Sequence, residues 1–187
     1  QLAVLGGGNG AHAMAADIAL RGISVTMYEM PEYESNIEQV RESGVIEAEG
    51  SISGRAEVDR VTTDIDEALG GADVVAVVVP AFAHAEYADL LAGRLADDQL
   101  LVLFPGTFGS LEIRRIFDER GVHEDLLVAE TDTLPYDTRL TDDGTVVFYD
   151  ENPVNLGVLP ADRTDEALER LSPYFEFGRV YDDVLEA

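Results

Sequence analysis

The sequence predicts a doubly wound α/β fold, with a mainly parallel sheet, helices on both faces and extra strands after the sixth. Three observations carry this. Val74–Val79 and Leu100–Phe104 are apolar runs without alternation, as strands covered on both faces must be. Segments with apolar residues at helical spacing separate such runs. A glycine cluster, Gly6-Gly7-Gly8-Asn9-Gly10, joins the first apolar strand directly to an alanine-rich segment.

The elements follow in order. Residues 2–5 form a strand, and Ala11–Leu20 a helix that Gly22 ends. A second strand runs Ile23–Tyr28. Residues 45–58 read as a hairpin of two short strands about Glu49-Gly50. Asp64, with Glu67 three positions on, resembles a capping box for a helix over Ile65–Leu69. The next strand lies within Ala72–Val79. Phe82–Leu95 carries Ala83, Tyr87, Leu90 and Leu91 at helical spacing. After the strand Leu100–Phe104 comes a helix, Leu111–Arg120, with Ile113, Ile116 and Phe117 on one face and Gly121 as its stop. Leu126–Ala129 is a further strand. Residues 145–160 read as two more, around Glu151-Asn152-Pro153, extending the sheet. Thr164–Leu171 is helical and ends before Pro173. A chain of 187 residues is expected to form one domain over 1–187, with residues after about 174 leading towards a second.

Gly6, Gly8 and Ala11 fit G-x-G-x-x-G/A, the dinucleotide fingerprint of Rossmann domains. Gly6 permits the tight turn, Gly8 lets backbone approach a pyrophosphate, and Ala11 lets helix and strand pack closely. Asn9 and Gly10 complete the loop, where helix N–H groups meet phosphate oxygens. A glycine-rich turn without a ligand is the alternative. Against it stands Glu29, 21 positions after Gly8, where a ribose diol needs an acceptor. No cation follows until Arg41, which favours NAD over NADP. In such sheets ligands bind beyond the carboxyl ends of the strands. Pro80 to His84, Pro105 to Gly109 and Glu130 to Tyr136 fall there, so Pro80, Pro105 and Gly106 are assigned to the nicotinamide side. His84 is the local candidate for a proton donor, with a helix-surface histidine as the alternative. The catalytic residues are otherwise unassigned.

Taken together, the motif at Gly6–Ala11, Tyr28-Glu29, Asn36-Ile37-Glu38, Val61 to Asp64, Gly71-Ala72-Asp73, Val78 to Phe82, Phe104-Pro105-Gly106, Ala129-Glu130-Thr131 and Thr133 to Tyr136 resemble the opine (octopine/nopaline) dehydrogenases, in order and over nearly the whole chain. The resemblance implies an NAD(P)-binding amino-terminal domain joined to a helical carboxyl-terminal one. The implied reaction is reductive condensation of a 2-oxo acid with an amino acid. Asp137-Thr138 stand where the family often has Ala-Cys. The family's catalytic His and Asp lie in the helical domain, which these residues do not include, so the chain alone is expected to bind cofactor without turnover. Two alternatives remain: the cofactor domain of a glycerol-3-phosphate or 6-phosphogluconate dehydrogenase-like enzyme, and a stand-alone NAD-sensing module. The partners implied are the dinucleotide and small-molecule substrates.

Thirty-eight acidic residues oppose twelve basic ones, all Arg, for a net charge of -26. Such a surface repels nucleic acid and anionic membranes. The longest apolar run falls far short of the ~20 residues that span a bilayer. The chain has no Cys, and its three His show no metal-ligand spacing. Asp142-Asp143 and Asp182-Asp183 read as solvated faces rather than calcium loops. His12 is expected at the surface or beside phosphate, and His123 in a solvated loop. A salt-rich cytoplasm is the expected setting, because acids are spread along the chain rather than blocked. Screening shortens from about 8 Å at physiological salt to about 3 Å at 1 M. Thermal melts from dilute to molar KCl should therefore rise steeply. A melting temperature flat across that range would mean that self-repulsion is already compensated.

Overall fold

The computed structural model describes residues 1–122 and 125–186. In chain order the elements are β1 (Leu2–Leu5), α1 (Asn9–Leu20), β2 (Val25–Tyr28), α2 (Glu38–Ser43), β3 (Val45–Gly50), β4 (Gly54–Glu57), β5 (Arg60–Thr62) and α3 (Ile65–Leu69). There follow β6 (Val74–Val77), α4 (His84–Leu91), β7 (Leu100–Leu103), α5 (Gly109–Arg120) and β8 (Leu127–Thr131). The last are β9 (Tyr136–Leu140), β10 (Val146–Glu151), β11 (Val154–Leu159), α6 (Thr164–Leu171) and β12 (Phe177–Val180). They divide into two compact units, one of Gln1–Ala72 with Pro135–Asn152, the other of Asp73–Leu134 with the chain from Pro153 on.

In the first unit β2 lies between β1 and β5, all parallel, with Leu2 opposite Val25 and Tyr28 opposite Thr62. Every residue of β1 and β2 is buried, as their unbroken apolar character requires. A second sheet runs in the order β4-β3-β10-β9. Helix α1 packs against strands of both sheets. That explains its composition: Ala11, Ala13, Ala15 and Ala16 are buried with Met14 and Ile18, and small residues let strands approach from two sides. Tyr136 on β9 donates to Asp17 of α1 at 2.8 Å. The Leu140 N–H donates to Asn9 Oδ1 at 3.1 Å. Both bonds tie β9 to this helix.

In the second unit β6, β7 and β8 are parallel neighbours, β11 adds antiparallel to β8, and β12 lies parallel to β11. The two strands expected over 145–160 therefore have different fates. β11 extends the parallel strands, whereas β10 pairs with β3 and β9. The difference is legible in burial. Val146 and Phe148 are buried while Tyr149 is exposed, the one-sided pattern of a strand with a single covered face.

The helix expected over Phe82–Leu95 is shorter. A 3₁₀ turn, Ala81–Ala83, precedes α4, which ends before Gly93 adopts φ 77°. The capping box at α3 is routed through a third residue. Asp64 accepts from the N–H groups of Asp66 and Glu67, but Glu67 accepts from the Thr62 hydroxyl, and that hydroxyl accepts the Asp64 N–H. No helix among the described residues is long and apolar enough to cross a membrane.

Candidate dinucleotide-binding site

The glycine loop follows from β1. Gly6 takes φ 124°, a conformation that favours glycine, and its N–H reaches the Tyr28 carbonyl at 2.8 Å. Gly7 is packed tightly: a Cβ there would lie 2.7 Å from Asn36 Cβ and 2.8 Å from Glu29 Oε2. Gly8 is the reverse. A Cβ there would meet nothing within 4 Å, and its backbone suits any residue (φ -84°, ψ -176°). Packing thus explains glycine at position 7 but not at position 8, where open space faces the start of α1. That helix has no side-chain cap and no acid in its first turn, so its positive end is left for an anion. Gly10 and Ala11 are buried within α1. Asn9 spends its side-chain carbonyl on β9.

Glu29, at the end of β2, is only 6% exposed. Its Oε1 accepts the Met30 N–H at 2.9 Å, and its Oε2 accepts from Asn36 Nδ2 at 3.2 Å. The carboxylate is held by backbone and amide N–H donors. Arg41 pairs with Glu34 and Arg60 with Glu67, each at 3.3 Å. The sequence points to Glu29 but misses Gly7 and Asn36, whose part depends on a contact seven residues along the chain.

In the second unit, the turn after β6 exposes Pro80 and Phe82. The turn after β7 is held from β8. Pro105 is half-buried and Gly106 buried, and Thr107 and Phe108 take φ 51° and 63°. Glu130, on β8 and 1% exposed, accepts from the N–H groups of Phe108 at 3.1 Å and Ser110 at 2.9 Å. It does for α5 what an N-cap does, from twenty residues downstream. A Cβ on Gly106 would lie 2.2 Å from Glu130 Cβ, and one on Gly109 would lie 2.3 Å from His84 Nδ1. His84 opens α4 and is 1% exposed, so it is not a helix-surface residue. Its imidazole meets the backbone carbonyl of Pro105. The Nε2 atom lacks a hydrogen-bond partner among the described residues, which leaves Nδ1–H for Pro105.

Residues 1–108 match the family described as the NAD-dependent glycerol-3-phosphate dehydrogenase N-terminus. The chain belongs to this family. It is an NAD-binding amino-terminal domain, as the fingerprint implies. Among relatives, it is 38% identical over 172 residues to the opine dehydrogenase of Arthrobacter sp. (strain 1C), covering 90% of this chain and 47% of that protein. It is 32% identical to the octopine dehydrogenase of Pecten maximus, covering 79% and 39%. The chain therefore spans about half the length of these relatives or less. Octopine dehydrogenase solved with NADH and L-arginine superposes at a TM-score of 0.78 with 22% identity, covering 99% of this chain and 49% of that one. Glycerol-3-phosphate dehydrogenase from Coxiella burnetii gives 0.64 with 16% identity, covering 98% and 54%. These likenesses establish the Rossmann-type fold.

Both histidines among the described residues are enclosed. His12, expected at the surface or beside phosphate, is 2% exposed, with Nδ1 3.1 Å from the Gly8 carbonyl. The reason is α1, which is covered on nearly every side. His123 lies outside the described residues. Among the described residues no group of His, Asp or Glu could hold a metal.

Two predictions follow from this geometry. Gly7→Ala should lower stability by about 1–3 kcal/mol, because Asn36 and Glu29 have no room to move. Gly8→Ala should leave the melting temperature unchanged or slightly raised, yet weaken NADH binding. Paired melts and titrations test this. Equal loss of stability at both positions would show that packing alone dictates the motif.

Burial holds both His12 and His84 below the ordinary 6.5. As pH falls through 6.5 the unfolded chain takes up protons that the folded chain resists. The stability of the neutral rings is thus whole above that pH and is lost as pH falls towards their folded values. Melting temperature should drop from about pH 7.5 to about pH 5.5, a window in which carboxylates barely titrate. His12→Gln and His84→Gln should each remove part of the drop. A flat profile would mean that these rings are not buried neutral.

Proposed function

We propose that this chain is the NADH-binding half of an opine dehydrogenase-like oxidoreductase, which reductively condenses a 2-oxo acid with the amine of an amino acid. The observation that carries the reading is Glu29, buried at the end of β2, held by the Met30 N–H and Asn36, and packed against Gly7 of the glycine loop. A carboxylate at the end of the second strand suits the adenosine ribose diol, while a 2′-phosphate would meet like charge. Gly6, Gly8, Asn9, Gly10 and Ala11 are the proposed pyrophosphate segment. Pro80, Pro105 and Gly106 are proposed for the nicotinamide side. Bound nicotinamide would supply the hydride, and this chain supplies binding and orientation.

The relatives' names support the substrate class. The Arthrobacter relative is an opine dehydrogenase, and solved octopine dehydrogenases are described with L-arginine or with pyruvate. The family's own description, an NAD-dependent glycerol-3-phosphate dehydrogenase N-terminus, favours the second reading, a polyol-phosphate substrate. The proton donor is proposed to lie in the helical part of the full-length relatives. The burial of His84 and its bond to Pro105 favour a positioning role for that ring. The acid-rich composition supports a salt-rich cytoplasmic setting.

Titration of the chain in molar KCl should give saturable NADH binding and clearly weaker NADPH binding. NADH absorbance should then stay constant when 2-oxo acids and amino acids are added. Equal affinity for both cofactors would sink the assignment of Glu29. Substrate-dependent loss of absorbance would show that these residues are catalytically complete.

A further inference from the structure

We propose that His84 and Glu130 form a clamp that sets the shape of the Pro105–Gly109 turn and so positions the nicotinamide end of the cofactor; this rests on the NAD reading above. The turn is held at three backbone points. Glu130 accepts from the N–H groups of Phe108 and Ser110, and the His84 ring donates to the carbonyl of Pro105. The two glycines of the turn are where the two clamp residues press on it, Gly106 on Glu130 and Gly109 on His84. Pro-Gly-x-x-Gly thus has a packing reason at each glycine.

What is held is not a relaxed turn. Thr107 and Phe108 both lie in the left-handed region, which L-residues other than glycine rarely adopt. A β-branched and a bulky aromatic residue persist there only where neighbours over-determine the backbone. Two orphaned polar atoms mark the same place: His84 Nε2 and Ser110 Oγ are buried without a partner among the described residues. Strain and unmet hydrogen bonds are kept together where function requires a particular backbone shape. The turn follows β7 at its carboxyl end and His84 opens the helix that follows β6, at the edge where parallel α/β sheets receive ligands. Neither residue of the clamp is exposed, so both act through the turn rather than on the cofactor.

The experiment separates the two ends of the ligand. The 187-residue chain is titrated in molar KCl with NADH and with ADP-ribose, which lacks nicotinamide, while NADH fluorescence is followed. His84→Ala and Glu130→Gln should each weaken NADH about tenfold, the scale of one hydrogen bond, and shrink its emission change. ADP-ribose affinity should stay within about twofold. His84→Asn, whose amide N–H can meet the Pro105 carbonyl, should recover most of the NADH affinity. Equal weakening of both ligands would reveal loss of fold rather than of positioning, and would overturn the clamp. Unchanged NADH binding in His84→Ala would overturn it as well. Failure of the wild-type chain to bind even ADP-ribose would overturn the NAD reading, and the clamp with it.

Discussion

In each unit a buried carboxylate closes over a glycine. Glu29 lies where a side chain on Gly7 would have to be, and Glu130 lies against Gly106 in the same way. Burying a carboxylate is costly unless its oxygens are hydrogen-bonded. Both are satisfied by N–H donors, from Met30 and Asn36 in one unit and from Phe108 and Ser110 in the other. Put a side chain on either glycine and it meets the carboxylate-bearing residue. Lose the carboxylate and the turn loses the contact that fixes it. The glycine motif and the Pro-Gly turn are therefore two instances of one constraint.

This solution suits a chain with 38 acids and 12 arginines. Cations are too scarce to neutralise internal carboxylates, and the arginines are spent at the surface. Arg114–Asp118, Arg115–Glu119 and Arg120–Asp89 are solvent-exposed pairs at 2.6–3.0 Å. Exposed pairs contribute about 0–1 kcal/mol each, so they relieve local repulsion without holding the fold. The fold rests instead on strands buried on both faces and on an alanine-rich helix that lets strands approach closely. The internal carboxylates rest on backbone and amide N–H groups, whose strength does not depend on salt as exposed ion pairs do.

Tyr136 shows how a family resemblance and a structural role can coincide on one side chain. The sequence places it in a turn at the ligand edge. In the fold it opens β9, and its hydroxyl donates to Asp17 of α1. Burial, reinforced by the Asp17 carboxylate, pushes its pKa well above the phenol range. It stays a neutral donor that fastens β9 to the helix carrying the glycine loop. Asn9 serves the same strand by accepting the Leu140 N–H. Residues that line a motif in the sequence can thus hold its support rather than its ligand.

The sequence by itself determined the fold class, the glycine loop and the cofactor. Apolar runs buried on both faces, glycines where the chain must turn, and an acid at the end of the second strand are local signals, each dictated by one element's environment. β5, β9 and β12 escaped because they are short and half-exposed, with too few apolar residues to show a period. β10 was visible as a strand but not as a member of the second sheet, since its parallel partner β3 lies about a hundred residues upstream. Only the tertiary structure decided that Gly7 and Gly106 make room for carboxylates, that Asn36 holds Glu29, and that His84 and Glu130 grip one turn. Those facts depend on which atoms meet across the fold, and spacing along a chain carries no record of that.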